Sequence, residues 1–132
     1  MASANPFFKY ENSELPLGFE VPDVSMFGML KIAAESQPDS LAYEYFGTKC
    51  TFGNLVKKIE EISGAYYALG VRKGDIVTII MPNTPEAVIS IYALNRIGAV
   101  ANILHPLSAQ EEIKNHINRV KNGECTIEIG FV

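Results

Sequence analysis

Residues 69–106 read LGVRKGDIVTIIMPNTPEAVISIYALNRIGAVANILHP, and this segment decides the fold. Its first apolar run, Ile76–Met81, has the length of a strand and does not alternate with polar residues, which is typical of a strand covered on both faces. Pro85–Ile97 is predicted as a helix that Gly98 ends, and Ala99–Leu104 is predicted as a second strand. Because strand, helix and strand with short links require a crossover connection, we expect the two strands to be parallel and the crossover to be right-handed.

A helix, a hairpin and a second helix are predicted before this segment. The first helix runs over Ser25–Gln37 and takes its first residue as the N-cap. Leu41–Phe46 is predicted as a strand, followed by a turn and a short return strand near Lys49–Thr51. The next helix spans Thr51–Leu69 and is again capped by its first residue. Its apolar residues recur at helical spacing and predict one buried face, formed by Leu55, Ile59, Ile62, Tyr66 and Leu69.

A further helix and a final strand are predicted after the segment. Ser108 and Glu111 form an S-x-x-E capping box for the helix. The apolar residues expected to point inward from it are Ile113, Ile117 and Val120. Asn122-Gly123 ends the helix, and Cys125–Val132 alternates as a strand does.

These elements together predict an α/β fold with flanking helices and a mostly parallel sheet of at least three strands. Residues 1–24 are predicted as an irregular N-terminal arm, because prolines and a glycine are spaced against regular structure there. Residues 25–132 are predicted to form the α/β subdomain.

The composition is that of an ordinary globular protein. The chain has 132 residues, of which 48% are apolar, and a net charge of −4. Its lysines and arginines are scattered, which argues against nucleic acid as a partner because neutralising phosphates needs a clustered basic surface. No apolar run approaches the roughly 18 residues of a membrane span, and the start does not resemble a signal peptide. The two cysteines, Cys50 and Cys125, show no metal-ligand spacing and are expected to be reduced thiols of a cytoplasmic protein.

No motif in the chain presents a catalyst. The ten glycines form neither a dinucleotide fingerprint nor a phosphate-binding loop, and no G-x-S-x-G is present. We therefore predict no catalytic, cofactor-binding or metal-binding residue. The Pro82–Pro85 loop and His105 follow predicted strand ends, where open α/β sheets bind ligands, but a loop, cap or solvated role is favoured for both. His116 and the adjacent pairs Glu60-Glu61 and Glu111-Glu112 are expected at the surface, the acidic pairs because adjacent helical side chains diverge.

Five short motifs stand in a fixed order along the chain. They are Tyr43–Tyr45, Cys50–Leu55, Ala68–Asp75, Met81–Glu86 and Arg96–Val100. Together they resemble the N-terminal subdomain of AMP-forming acyl-CoA synthetases, which belong to the adenylate-forming superfamily. The resemblance runs from about Ser25 to about Val120. Residues 103–108 resemble the acyl-CoA synthetase branch more than the branch that activates amino acids.

The resemblance implies a two-step ligase. A carboxylate attacks the α-phosphate of ATP with the help of magnesium to give an acyl-adenylate, and the thiol of coenzyme A then displaces AMP. In the family a Ser/Thr/Gly-rich loop, an acidic ribose-binding motif and a lysine of a C-terminal domain serve this chemistry. All three lie downstream of the matched region, so no family catalytic residue is carried onto this chain. Residues 122–125 depart from the serine- or alanine-rich helix end that is frequent in the family.

The resemblance therefore predicts an N-terminal fragment of an acyl-CoA synthetase. ATP, Mg²⁺ and coenzyme A are expected for the full-length enzyme, whereas the fragment is expected to be inactive and to hold no cofactor. Its expected partners are the remainder of the synthetase chain, a small carboxylic acid bound through that parent, and a second copy through exposed apolar surface.

Two alternatives stay open at this point. The first is a stand-alone binding or interaction module that retains the fold without catalysis. The second is an unrelated flavodoxin-like domain that binds a nucleotide near His105 or Pro82.

Overall fold

The computed structural model describes residues 23–121, which form four helices and four strands. The helices are α1 (Met26–Ser36), α2 (Phe52–Ala68), α3 (Pro85–Ile97) and α4 (Gln110–Lys121), and the strands are β1 (Leu41–Tyr45), β2 (Thr48–Thr51), β3 (Ile76–Ile80) and β4 (Val100–Leu104). The predicted elements in this range are confirmed to within about one residue at each boundary, which is the usual uncertainty of a helix or strand end. The predicted final strand, Cys125–Val132, and nearly all of the predicted arm lie outside the described residues.

Helix α3 connects two parallel strands, as predicted. Strands β3 and β4 pair in register from Ile76 opposite Val100 to Ile80 opposite Leu104, and α3 packs against both of them. The helix ends at Gly98, which adopts the left-handed conformation with φ 83° and donates its backbone N–H to carbonyl groups of the last turn. The parallel pairing places the carboxyl ends of both strands at one edge of the sheet and their amino ends at the other.

Strands β1 and β2 form a separate antiparallel hairpin. Their connection consists of Phe46 and Gly47, both at positive φ, and two residues are too few for the crossover that parallel strands need. Residues 23–121 thus contain two two-stranded sheets rather than one sheet of three or more mostly parallel strands. The α/β class is confirmed, but within this range parallel pairing is confirmed for β3 and β4 alone.

The core lies where α1, α2 and α3 meet. Ile59 of α2 and Leu94 of α3 have no exposed surface, and burying such a side chain contributes about 1.5–3 kcal/mol. The main apolar cluster consists of Phe27, Cys50, Leu55, Ile59, Ile89 and Ala93. Helix α1 is tied to α3 by the Phe27 N–H, which donates to Asn95 Oδ1 at 3.0 Å. The core is therefore mainly helical, and the hairpin supplies its edge through Cys50.

The apolar face predicted for α2 is correct only in part. Leu55 and Ile59 are buried, but Ile62 is 38% exposed and Leu69 is 80% exposed. Ser63 is buried instead, because α3 covers the α2 face on which Leu55, Ile59 and Ser63 follow one another at spacings of four. A small side chain at that position lets the two helices approach closely.

Neither face of the β3–β4 sheet is fully covered by residues 23–121. Ile79 and Leu104 are buried, whereas Ile80 is 43% and Ile103 is 42% exposed. Because Ile103 pairs with Ile79 and successive side chains point to opposite faces, these two exposed isoleucines lie on opposite faces. The prediction that Ile76–Met81 is covered on both faces is thus wrong for the described residues, since α3 shields only part of the sheet.

The N-cap of helix α4 lies one residue later than predicted. Ala109 occupies the N-cap position, because α4 starts at Gln110 and the Ala109 carbonyl accepts its first helical bond, from the Ile113 N–H. Ser108 instead donates its backbone N–H to the His105 carbonyl in a turn. The residues predicted to point inward, Ile113, Ile117 and Val120, are half-buried. His116 was expected at the surface but is also half-buried, because it follows Ile113 by three residues and shares its side of the helix.

Candidate functional site

The two loops singled out in the sequence meet at the carboxyl edge of the β3–β4 sheet. Ile80 and Leu104 are paired at the ends of the strands, so the loop after Ile80, with Pro82–Pro85, lies beside the loop that begins at His105. Open α/β sheets bind their ligands at such an edge. The structure thus brings the two candidate positions together, and their side chains decide what the edge can do.

His105 stabilises its own loop. The side chain is exposed, and its Nδ1 accepts a hydrogen bond from the Leu107 backbone N–H at 3.1 Å. Nδ1 must carry no proton in order to accept this bond, so the remaining proton of a neutral ring sits on Nε2. This contact agrees with the loop-capping role that the sequence favoured.

Thr84 occupies the N-cap position of α3, but its hydroxyl does not bond a backbone N–H of the helix. The carboxylate of Glu86 accepts a hydrogen bond from its own backbone N–H and another from the Thr84 side chain, and these bonds lower the pKa of Glu86. The first turn of α3 is therefore closed by a threonine–glutamate pair, with the acid placed where the helix dipole favours negative charge.

The carboxyl edge presents apolar surface rather than a catalyst. Among residues 23–121, no three His, Cys, Asp or Glu side chains are grouped so that they could hold a metal ion. The large residues around this edge that stay exposed are Ile80, Met81 and Leu107. What the described residues offer here is a surface for packing against another part of a protein.

A cluster of titratable side chains between the hairpin and α2 was not foreseen from any motif. Tyr43 and Cys50 are partners in the β1–β2 register, and Lys58 reaches them from α2. Burial and the contact with Cys50 raise the pKa of Tyr43, although the hydrogen bond from Lys58 offsets part of this effect. The same hydrogen bond with Tyr43 raises the pKa of Lys58. Only the hairpin register together with the docking of α2 creates the cluster, so no spacing in the sequence signals it.

Alkaline pH is expected to destabilise the chain through this cluster. The pKa values of Tyr43 and Lys58 in the folded chain lie above their unfolded values of about 10. The stabilisation is therefore complete below about pH 10 and is lost as the pH rises through the raised values. We expect Tyr43→Phe to flatten the fall in unfolding free energy between about pH 9 and 11, measured by urea unfolding. Tyr45→Phe, at an exposed tyrosine of the same strand, is the matched control, and equal slopes in both variants would contradict the prediction.

An open cleft of about 660 Å³ lies at the other, amino edge of β3 and β4. It is lined by Ser63, Gly64 and Tyr67 of α2, by Arg72 and Lys73 of the loop that follows, and by Arg96 and Ile97 of α3. We name it the cationic cleft. The Arg72 guanidinium stacks on the Tyr67 ring, 3.8 Å from its centroid, and Arg96 donates to Ser63 Oγ at 3.0 Å. No motif in the sequence signals this site, because its cations come from the loop after α2 and from α3.

Comparison with known proteins gives the family. The profile of the family described as AMP-binding enzyme matches residues 30–122. The long-chain-fatty-acid–CoA ligase of Bacillus subtilis (strain 168) is 26% identical over 114 residues, which are 86% of this chain and 20% of that ligase. Acetyl-coenzyme A synthetase 2 of Saccharomyces cerevisiae is 39% identical over 67 residues, which are 51% of this chain and 10% of the synthetase.

The fold is similar to a solved N-terminal subdomain. The NpsA N-terminal subdomain of Klebsiella oxytoca superposes with a TM-score of 0.71 over 74% of this chain and 26% of that chain. At 24% sequence identity this likeness shows the fold alone. The α/β fold of this chain thus matches that of a known subdomain.

The chain spans a fifth of the Bacillus subtilis ligase and a tenth of the Saccharomyces cerevisiae synthetase. Of the helices in the described part of the chain, none combines the length and the apolar character that crossing a membrane requires. The comparisons do not favour the flavodoxin-like alternative, and they confirm the resemblance to acyl-CoA synthetases. Because the profile matches most of its length, the chain belongs to the AMP-binding enzyme family.

Proposed function

We propose that this chain is the N-terminal part of an acid–thiol ligase. In the proposed reaction a carboxylate oxygen attacks the α-phosphorus of ATP, which forms an acyl-adenylate and releases pyrophosphate. The sulfur of coenzyme A then attacks the acyl carbon, and AMP leaves. The observation that carries the proposal is the family match over residues 30–122 together with relatives that are named as acyl-CoA and acetyl-CoA ligases.

The described residues do not fit a site for magnesium or for the triphosphate of ATP. No group of three metal-ligating side chains lies within residues 23–121, and the chain has no glycine-rich phosphate loop. Both steps need positive groups around the reacting phosphorus and a cradle for the phosphates. No catalytic step is therefore assigned to a residue of this chain.

The proposed role of the chain is to support the rest of the ligase. Ile80 at the end of β3 and Met81 directly after it are exposed at the carboxyl edge of the sheet. Leu107, in the loop after β4, is exposed as well and adds to this apolar surface. We propose that the remainder of the ligase covers this surface. A second copy of the chain is the competing occupant, because apolar surface of this kind also drives self-association.

The substrate is proposed at the level of its class, an aliphatic carboxylic acid, because the matched relatives are named for long-chain fatty acids and for acetate.

Cys50 is buried with a free thiol. A reduced cysteine supports a cytoplasmic location, where thiols stay reduced.

The natural gene product tests this proposal. An antibody against the 132-residue chain captures the protein from its source cells, and its length is measured by mass spectrometry. We expect a polypeptide several times longer than this chain, with ATP–pyrophosphate exchange that depends on acetate or on a long-chain fatty acid. A product that ends near Val132 and shows no exchange would favour a binding module instead.

The purified 132-residue chain is the matched control for the exchange assay. It should show no carboxylate-dependent exchange at any substrate concentration, because its sequence has no glycine-rich phosphate loop and no group of metal-ligating side chains lies within residues 23–121. Exchange by the chain alone would overturn its supporting role.

A further inference from the structure

We propose that the cationic cleft binds the phosphate group of a small phosphorylated molecule. The cleft lies at the amino edge of the β3–β4 sheet, opposite the carboxyl edge, and the proposal does not depend on the ligase activity proposed above. Its basis is the number of cations, the way in which they are held and the shape of the cleft.

The cations of the cleft are not neutralised by acidic side chains. Within residues 23–121 the one ion pair joins Lys49 to Glu44. Both residues belong to the β1–β2 hairpin, and neither lines the cleft. The nearest acid in sequence, Asp75, accepts a hydrogen bond from the Arg72 backbone N–H at 2.7 Å and does not line the cleft. Arg72, Lys73 and Arg96 thus line the cleft, and no aspartate or glutamate is among its lining residues.

The negative C-terminal ends of two helices balance only part of the positive charge in the cleft. Both α2 and α3 end at the cleft, and each helix C-terminus carries about half a negative charge. Arg72 Nη1 serves one of these ends by donating to the carbonyl oxygens of Tyr67 at 2.6 Å and Val71 at 2.9 Å. Against three full positive charges stand about one negative charge from the helix ends and one from Asp75, which leaves a net charge of about +1. A phosphate monoester, with a charge of about −1.5 to −2, complements it.

The two guanidinium groups of the cleft are both anchored on α2. Arg96 is bonded to Ser63 and Arg72 is stacked on Tyr67, and these two anchors lie four residues apart on α2. Residues at that separation are neighbours on a helix surface, about 5–6 Å apart. Arginine binds phosphate through two parallel N–H bonds. Because both side chains are already ordered by protein contacts, little conformational entropy remains to be lost on binding.

The remaining lining admits an organic group beside the phosphate. Gly64 carries no side chain to fill the space, and Ile97 and the Tyr67 ring form apolar walls. A volume of about 660 Å³ lies within the range of small-molecule sites, roughly 300–1,000 Å³. The ligand class is therefore a phosphorylated molecule with an apolar or aromatic part rather than a bare anion.

Amide chemical shifts of the ¹⁵N-labelled 132-residue chain test the proposal. Phenyl phosphate and inorganic phosphate are titrated at low salt. We expect both to shift the Gly64 and Lys73 amides, with binding that weakens as salt is added. We expect tighter binding of phenyl phosphate, because the apolar walls take its organic part, and equal binding of inorganic phosphate would contradict the proposed ligand class. Phenol is the probe without charge, and equal shifts from phenol would overturn the proposal.

Variants separate a specific site from general attraction of anions. Lys73→Gln and Arg72→Gln should each weaken binding of phenyl phosphate about tenfold, the loss expected for one charged hydrogen bond. Lys57→Gln is the matched control, because Lys57 is an exposed lysine of α2 outside the cleft, and its binding should stay unchanged. Arg72 also contacts the end of α2, so Lys73→Gln, with circular dichroism to confirm folding, is the decisive variant. Equal weakening by Lys57→Gln, or the absence of shifts at Gly64, would overturn the proposal.

Discussion

Replacing Ile59 with alanine is expected to lower the free energy of unfolding by about 2–5 kcal/mol. Ile59 has no exposed surface and belongs to the cluster where α1, α2 and α3 meet. The loss combines the transfer free energy of the removed methyl and methylene groups with the cost of the cavity they leave. Because domains are stable by only about 5–15 kcal/mol, the shift should be large in a urea unfolding curve, seen in the midpoint at constant slope.

Ile62→Ala is the matched control for this substitution. Ile62 lies three residues further along the same helix and is 38% exposed, so we expect a loss below about 1 kcal/mol. The two substitutions also test which face of α2 is buried. The spacing in the sequence predicted both isoleucines to be buried, whereas the structure buries Ile59 and leaves Ile62 partly exposed. Equal losses at the two positions would mean that α3 does not cover α2 as described.

Replacing Gly98 with alanine is expected to cost about 1–3 kcal/mol. Gly98 ends α3 at φ 83°, where a side chain is strained in any surroundings. A Cβ built on Gly98 would also lie 3.0 Å from Cγ of Lys73. The backbone can yield little at this point, because the Gly98 carbonyl accepts a hydrogen bond from the Gly74 N–H at 2.9 Å. Thermal and urea unfolding of the variant measure the loss.

Gly64→Ala should have the opposite effect. Gly64 lies inside α2, and a Cβ there would meet nothing within 4 Å, so we expect a gain of about 0.5–1 kcal/mol. Adding Lys73→Ala to Gly98→Ala separates the two causes of the loss, because it removes the close contact but leaves the backbone strain. A Gly98→Ala variant as stable as the parent would contradict the left-handed helix end.

Local signals in the sequence were sufficient for the elements and for the β3–α3–β4 unit. Pro85 at the first turn, Gly98 at the end and short links fix the bounds of α3 and require a crossover between its strands. These features act within a few residues of one another, so no tertiary contact is needed to recognise them. The family resemblance added the kinship with acyl-CoA synthetases, which the family match then confirmed.

Features that depend on which elements meet could not be predicted in the same way. Helical spacing assigned Ile62 and Leu69 to the core of α2, but the side that α3 covers runs through Ser63, whose polar side chain gave no hydrophobic signal. The cluster of Tyr43, Cys50 and Lys58 forms because the hairpin and α2 bring these side chains together. The cationic cleft likewise combines side chains from separate elements. The spacing of residues within one helix or strand does not predict which side chains of different elements come into contact.

The β3–β4 pair has a consequence for how the chain behaves during synthesis. Within residues 23–121 each of these strands pairs with a single neighbour, so each has an outer row of backbone N–H and C=O groups outside that ladder. A strand in this condition is a template for lateral addition of another strand, whether from the same polypeptide or from a neighbouring one. Helices α2 and α3, which are close in sequence and share the core, can associate first. While the outer edges of β3 and β4 stay unpaired, they favour aggregation.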